Sequence, residues 1–376
     1  MKFRSLALCC ALAFGLSVSA EDYYGYLYCH MSGNSETTLY ALGSKADRGE
    51  KYHALAGNQP VFDAEKVARI EGGTRDAFIM RGKRNDYLMC VTDMCNRKSR
   101  CWNNYGIDLL HSNDLVHWTS VTFDFRQGPG IFSDPESPDV IDYKKVNRVW
   151  APQVIWDKDY KNGKGGWLVY YSILTDKPGE YDKIYYSYAN DDFTTLTKPQ
   201  LFYDKGISVI DCHIDWNEHD GLYHVFYKKE GAAGYDRGIW AATFEKLPVS
   251  EWTDRFHITN EGKEQVEGVS AFRLIGEDAW KVAYIRYSGG KAYKICNADA
   301  NLANVDKGIT LPESLLPQHG SFMTVTKDEY DMLEAWSKLM VKRSQPDADK
   351  AKIDAILAKT YKKGAVRKLL KLYSKY

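Results

Sequence analysis

One short pattern recurs four times along this chain, and the recurrence narrows the fold more than any single motif does. The runs "DYLMCVTDM", "GWLVYYSIL", "GLYHVFYKK" and "WKVAYIRYS" are apolar or alternating and rich in Tyr and Val, as strands are. Each follows an apolar segment and a polar turn: "RDAFIMRGKRN", "WAPQVIWDKDYKNGKG", "IDCHIDWNEHD" and "VEGVSAFRLIGEDA". Each leads into a third strand: "YGIDLLHSNDLVHW", "KIYYSYANDDFTTL", "RGIWAATFEKLPVSEW" and "AYKICNADANLANV". The units begin near Asp76, Trp150, Asp211 and Glu267, spacings of 74, 61 and 56 residues that hold four strands and their loops. Four-stranded units repeated about an axis make a β-propeller. A fifth unit assembles from both ends, where "YYGYLYCHM", "TTLYALGS" and "KYHALAG" lack an inner strand and "HGSFMTVT" is an inner strand without followers. Joining them closes the ring and removes its open edge. The expected fold is all-β, a five-bladed β-propeller over residues 21–326 with a short helical tail, 327–376.

The remaining chain bounds where the protein works and what it avoids. "MKFR", "LALCCALAFGL" and "SVSA" read as the basic start, apolar core and small-residue cleavage site of a secretory signal over residues 1–20. Export to the periplasm or the extracellular space is therefore expected. Lys+Arg and Asp+Glu number 50 each, so no whole-chain basic footprint points to nucleic acid. Of the six cysteines beyond the signal, none shows zinc-type spacing. Cys95 and Cys101 frame the shortest loop for a disulfide, with independent thiols as the alternative. In the tail, Met332, Leu333, Trp336, Leu339 and Met340 share one helical face, and a second, Lys-rich stretch follows Pro346. We read the tail as packed on the propeller rim with a solvated basic face, in preference to membrane attachment.

In a propeller the innermost strands open around one mouth of the axial channel. Their opening residues are expected to be Asp76, Trp150, Asp211, Glu267 and His319. An Asp before a strand is ordinarily a turn residue, but acids in three of five equivalent slots invite chemistry. Paired carboxylates suit glycosidic cleavage, one protonating the leaving oxygen and the other handling water or attacking directly. A third acid nearby holds the proton on the first by like-charge repulsion.

"TRDAFIMRG", "RVWAPQVIWD", "VIDCHIDW", "QVEGVSAF" and "PQHGSFMTVT" resemble the five inner-strand motifs of glycoside hydrolase family 43, over about residues 22–330. The resemblance implies inversion of configuration, with Asp76 as general base, Glu267 as general acid and Asp211 tuning the acid and orienting the sugar. It also implies that His319 binds a structural calcium or a water on the axis, and that no cofactor takes part in the reaction. The sequence departs from the family at Ala77, Gln153 and Cys212, which bears on subsite shape and leaves the carboxyls intact.

Trp150, Trp102 and Arg286 are candidates for sugar contact, Trp102 by lining the pocket rim, with core packing the plainer role of Trp150 and an exposed strand position that of Arg286. His213 with Asp211 or Asp215 is a weaker candidate for a metal, because alternate strand residues lie about 6.5 Å apart. The expected substrate is an oligo- or polysaccharide of plant type. An α-L-arabinofuranosidase is the first expectation, ahead of a β-D-galactofuranosidase or β-xylosidase. A retaining fructan hydrolase needs an N-terminal Asp motif and an E-C block that are missing here. A carbohydrate-binding propeller without catalysis predicts a lost axial acid, and all three acids are present.

Overall fold

A computed structural model describes residues 23–248, 252–258, 265–288 and 290–358. The signal-like leader and the Lys-rich end of the tail lie outside these residues.

Five four-stranded antiparallel sheets form the blades. Blade I is Thr74–Arg81, Tyr87–Asp93, Gly106–Ser112 and Thr119–Asp124, from the axis outward. Blade II is Val146–Asp157, Gly166–Thr175, Lys183–Ala189 and Gln200–Tyr203. Blade III runs Val209–Asn217, Leu222–Lys229, Gly238–Phe244 and Phe256–His257. Blade IV runs Val266–Arg273, Trp280–Arg286, Ala292–Ala298 and Ile309–Thr310. Blade V takes its inner strand, Gly320–Thr326, from the end of the domain and Tyr23–Met31, Thr38–Ser44 and His53–Ala54 from its beginning. The closing seam pairs Tyr23 with Thr326 through His30 with Gly320, so the ring is sealed by backbone hydrogen bonds.

Alternation along each strand explains the packing. Successive side chains point to opposite sheet faces, so each blade offers one apolar layer to each neighbour. Phe78, Leu88 and Cys90 of blade I pack on Val149, Val154 and Val169 of blade II. Ile79, Met89 and Val91, one residue further along, face blade V at Leu27, Leu42 and Val325. The same exchange fills the gaps between blades II and III, III and IV, and IV and V. The high Tyr content is spent largely here: Tyr28, Tyr170, Tyr223, Tyr227 and Tyr293 are buried between blades.

After Thr326 the chain turns into a helix, Lys327–Arg343, opened by a capping box in which Thr326 and Glu329 bond reciprocally. Met332, Leu333, Trp336 and Leu339 are buried against blades I and V, with Met340 partly buried beside them. A short second helix, Lys350–Leu357, adds Ile353 and Ile356 to that layer. Glu329 also receives both Nη atoms of Arg81 at 2.7 and 2.8 Å, which ties the helix to blade I. No helix among the described residues is long and apolar enough to cross a membrane. The six described cysteines are all unpaired, so the Cys95–Cys101 disulfide is not formed.

Candidate active site

The inner strands of blades I to IV share an irregularity that builds the site. In each, two consecutive residues face a single residue of the second strand. Asp76 and Ala77 lie opposite Val91, Ala151 and Pro152 opposite Tyr171, Asp211 and Cys212 opposite Tyr227, and Gly268 and Val269 opposite Tyr284. These are β-bulges, which re-aim side chains. The first residue of each bulge has left-handed backbone, with φ of 55° at Asp76, 46° at Ala151, 53° at Asp211 and 66° at Gly268. Asp and Gly suit that conformation, and Pro152, which has no N–H, is tolerated where the ladder is interrupted.

The bulges correct the alignment of slots expected from the sequence. Asp76 and Asp211 are equivalent to each other, to Ala151 and to Gly268. Glu267 stands one residue earlier, in the slot of Arg75, Trp150 and Ile210. The third acid therefore reaches the axis from a different backbone position than the two aspartates.

Asp76, Asp211, Glu267, His319, Trp102, Trp150, Arg75, Met94 and Ile210 nevertheless line one pocket, of about 50 Å³. The bulge backbone links blades. Gly268 N–H donates to Asp211 Oδ2 at 2.8 Å. Ala151 N–H donates to Thr92 Oγ1 at 2.8 Å, and that hydroxyl donates to Asp76 Oδ2 at 2.8 Å. Each aspartate thus accepts, directly or through Thr92, from the bulge of the next blade.

His319 Nδ1 lies 3.1 Å from Asp76 Oδ1. Burial alone would push its pKa down, but the charges of Asp211, Asp76 and Glu267 outweigh it and hold the imidazole at about 9. Burial likewise opposes the ionisation of Asp76, yet His319, Arg75 and Thr92 bring it down to about 2. For Asp211, burial and then the nearby Glu267 and Asp76 win over His319 and Lys228, and the carboxyl is raised to about 6. Glu267 is about one-third exposed and ion-pairs with Lys228, Nζ to Oε2 at 3.2 Å. Gly268 explains the glycine after Glu267: a Cβ there would lie 2.7 Å from His319 Cγ.

The two tryptophans meet edge to face, centroids 6.4 Å apart, with Trp102 56% exposed at the rim. Arg75 sits under Trp102 and is paired to the buried Glu36. Trp150 Nε1 is buried without a hydrogen-bond partner, and Arg148 lies over the ring at 4.1 Å. Arg286 is not in the pocket lining; it ends its strand opposite Val266 and donates from Nε to Gly290 O at 2.8 Å.

His319 meets Asp76 through Nδ1, so Nε2 is the ring nitrogen that a calcium ion or a water on the axis would have to meet. His213 is engaged in structure. Its Nδ1 lies 2.8 Å from Gln153 Oε1, and its Nε2 lies 2.7 Å from Asp215 and accepts from Ala271 N–H at 2.9 Å, joining blades II, III and IV. Among the described residues no cluster of three or more His, Cys, Asp or Glu is arranged to hold a metal. A roomier recess, about 300 Å³ between blades IV and V, contains one carboxylate, Glu313, and so lacks an acid–base pair.

Lys228, Thr92 and Arg75 are site residues that the sequence reading left out. "YKK" closing a strand reads as a solvated end, yet Lys228 is 1% exposed.

A family model described as a probable glycosyl hydrolase domain, related to family 43, matches residues 21–331. An α-L-arabinofuranosidase of Bifidobacterium longum subsp. longum is 27% identical over 262 residues, covering 59% of the chain and 23% of that protein. The chain thus spans less than a quarter of this relative's length. Among solved structures, an α-L-arabinofuranosidase from Podospora anserina matches at TM-score 0.42 and 14% identity, over 65% of the chain and 69% of the other. An exo-β-1,3-galactanase from Clostridium thermocellum matches at TM-score 0.47 and 11% identity, over 65% and 49%.

Proposed function

The chain belongs to the family of probable glycosyl hydrolase domains, and from that premise we propose that it is an exported, inverting glycoside hydrolase that releases terminal furanosyl or pentosyl residues from plant-type polysaccharides. An α-L-arabinofuranosidase is the activity we place first. The observation that carries the reading is the convergence of Asp76, Asp211 and Glu267, from three blades, on one small pocket.

In this mechanism Glu267 gives its proton to the glycosidic oxygen as the bond from the anomeric carbon breaks. Water attacks that carbon from the opposite face and passes a proton to Asp76. One water is consumed, and the products are the inverted free sugar and the hydroxyl of the leaving group. An Asp76 held at about 2 is ionised at neutral pH, as a proton acceptor must be. Asp211, buried and next to Glu267, adds negative charge that favours the protonated acid, and His319 orients Asp76 through its 3.1 Å contact. Trp150 and Trp102 supply flat apolar walls for the sugar. The small pocket favours one terminal sugar over a threaded chain, and the name of the Bifidobacterium relative favours arabinose. Every proton transfer is carried by the chain's own side chains. Export rests on the leader-like "MKFRSLALCCALAFGLSVSA".

A panel of 4-nitrophenyl glycosides tests the reading, with the α-L-arabinofuranoside expected to turn over fastest and the inverted anomer expected as first product by NMR. No turnover of any furanoside or pentoside, together with sugar binding, would make this a carbohydrate-binding propeller instead. A retained anomer would refute the water-activating role of Asp76.

A further inference from the structure

We propose that Lys228 is a positioning residue of the active site, which holds one oxygen of Glu267 and supplies the counter-charge to the carboxylate that Glu267 becomes when it gives up its proton. The inference rests on the proposed reading of Glu267 as the proton donor.

Lys228 is the seventh residue of the second strand of blade III and stands opposite Ile210, next to Asp211. A lysine that is 1% exposed has given up its hydration, so its partners define its purpose. Nζ lies 3.2 Å from Glu267 Oε2, 2.6 Å from Glu230 Oε2 and 2.9 Å from Tyr287 Oη. The Tyr287 ring also lies under Nζ, at 4.7 Å from its centroid. Asp211 is the further charge acting on it. Glu230 is held in turn by Arg237, which takes its other oxygen at 2.7 Å. The ammonium therefore reaches across the gap between blades III and IV to one oxygen of the acid, leaving the other free to face the substrate.

The consequence for the reaction follows from charge. When the proton moves from Glu267 to the leaving oxygen, that oxygen also keeps the electron pair of the broken bond, and Glu267 is left as an anion. Lys228 keeps all its protons and stabilises the anion, which strengthens the acid. Asp211 acts on the same proton with the opposite sign. The two neighbours bracket the proton donor, and removing each should move the pH profile in opposite directions.

The test uses the full chain with Lys228→Met, which keeps much of the apolar stem, and Lys228→Arg, which keeps the charge. With Lys228→Met, the alkaline limb of the pH–rate profile should rise by roughly half a unit to one unit. Turnover of a natural linkage should fall by up to about three- to tenfold, the rate equivalent of that shift, while a 4-nitrophenyl glycoside loses much less because its leaving group needs little acid help. Lys228→Arg should restore the limb. In parallel, carboxyl ¹³C NMR titration of the free protein should show the Asp211 step, which Lys228 holds down, moving upward in Lys228→Met. That readout decides the role of Lys228 even in a protein that turns over no tested glycoside, a result that would sink the hydrolase reading instead. If Lys228→Met does not fold, Glu230→Gln replaces it; removing that negative charge should lower the same limb and titration step. An unmoved limb and unmoved titration, or equal losses on good and poor leaving groups, would make Lys228 a structural ion pair and overturn the proposal.

Discussion

Gly268→Ala is the substitution whose cost the geometry divides most cleanly. Two terms arise. The first is backbone: φ is 66°, a left-handed conformation in which Ala is about 1 kcal/mol worse than Gly. The second is contact: the new Cβ would stand 2.7 Å from Cγ, 3.0 Å from Cβ and 3.0 Å from Cδ2 of His319. Carbon atoms settle about 3.5–4.0 Å apart. The atoms met are the root of the side chain, and the ring is buried and bonded to Asp76, so no flexible end can swing aside. Overpacking of this kind costs about 1–3 kcal/mol, for a total of about 2–4 kcal/mol.

The protein contains its own control. Ala151 occupies the equivalent place in blade II with φ of 46°, so this bulge already carries a Cβ there. Ala151→Gly should be near neutral, since relief of the left-handed strain is offset by the greater freedom of Gly in the unfolded chain. Urea denaturation of Gly268→Ala, His319→Ala and the double variant closes a cycle. The contact term predicts a coupling of about 1–3 kcal/mol that recovers stability in the double variant, whereas activity stays lost because Asp76 has no imidazole. Additivity within about 0.5 kcal/mol would refute the steric account and leave the glycine as a purely backbone requirement.

Other predictions follow from the charges. Glu267→Gln should slow cleavage of natural linkages about 10²–10⁴-fold and spare good leaving groups, as measured by initial rates on both. Asp211→Asn should lower the alkaline limb of the pH–rate profile, because a like charge that keeps the acid protonated is gone. It should also stabilise the fold by at most about 3 kcal/mol above pH 6, since a carboxyl raised from 3.8 to about 6 costs stability as pH climbs through that window and nothing below it. Equal stability of this variant and the parent at pH 7.5 would contradict the buried charge. Glu329, brought down to about 2 by Arg81 and its other partners against burial, should contribute up to about 3 kcal/mol above its unfolded value of 4.5 and lose it as pH falls toward 2. Glu329→Gln should therefore flatten the acid side of the thermal stability profile.

The ring was legible because strand alternation and repeat spacing are properties of the chain itself. Apolar residues on both registers of "DYLMCVTDM" announced a strand buried on both faces, and the orphan strands at the two ends could satisfy their edges only by pairing with each other. The acids were legible as types, but their common slot was not. A bulge inserts one residue without leaving a mark in alternation, so Glu267 aligned with Asp76 when Gly268 is its true counterpart. Asp at a left-handed position is a signal only where the position is known to be left-handed. Lys228 was hidden for a related reason: two lysines ending a strand look solvated, and nothing local shows that a carboxylate from the next blade, 39 residues on, lies against the first. Arg286 was misplaced the other way, its strand end lying beside the mouth while its side chain bonds within its own hairpin.

Counting charges around the axis explains why a protonated acid is available at all. Asp76, Asp211 and Glu267 line the pocket, and Glu36 and Glu230 stand directly behind it, holding Arg75 and Lys228. Against these five carboxylates stand four cations: His319, Arg75, Lys228 and Arg237. Arg75 is spent largely on Glu36 and Arg237 on Glu230, so the three pocket acids share His319 and part of Lys228. A buried set with one negative charge too many lowers its energy by binding a proton, and Asp211 at about 6 is the sign of that excess. The carboxyl that the excess raises is Asp211, with Glu267 and Asp76 as the like charges beside it. Asp76, held down to about 2, stays ionised, as the proposed mechanism requires of the group that takes a proton from water. Removing any cation of the four should enlarge the excess and raise the titration of Asp211, and removing any of the three neighbouring acids, Asp76, Glu36 or Glu230, should lower it. That sign rule can be checked one substitution at a time by carboxyl NMR titration, and a single cation whose removal lowers the titration would break it.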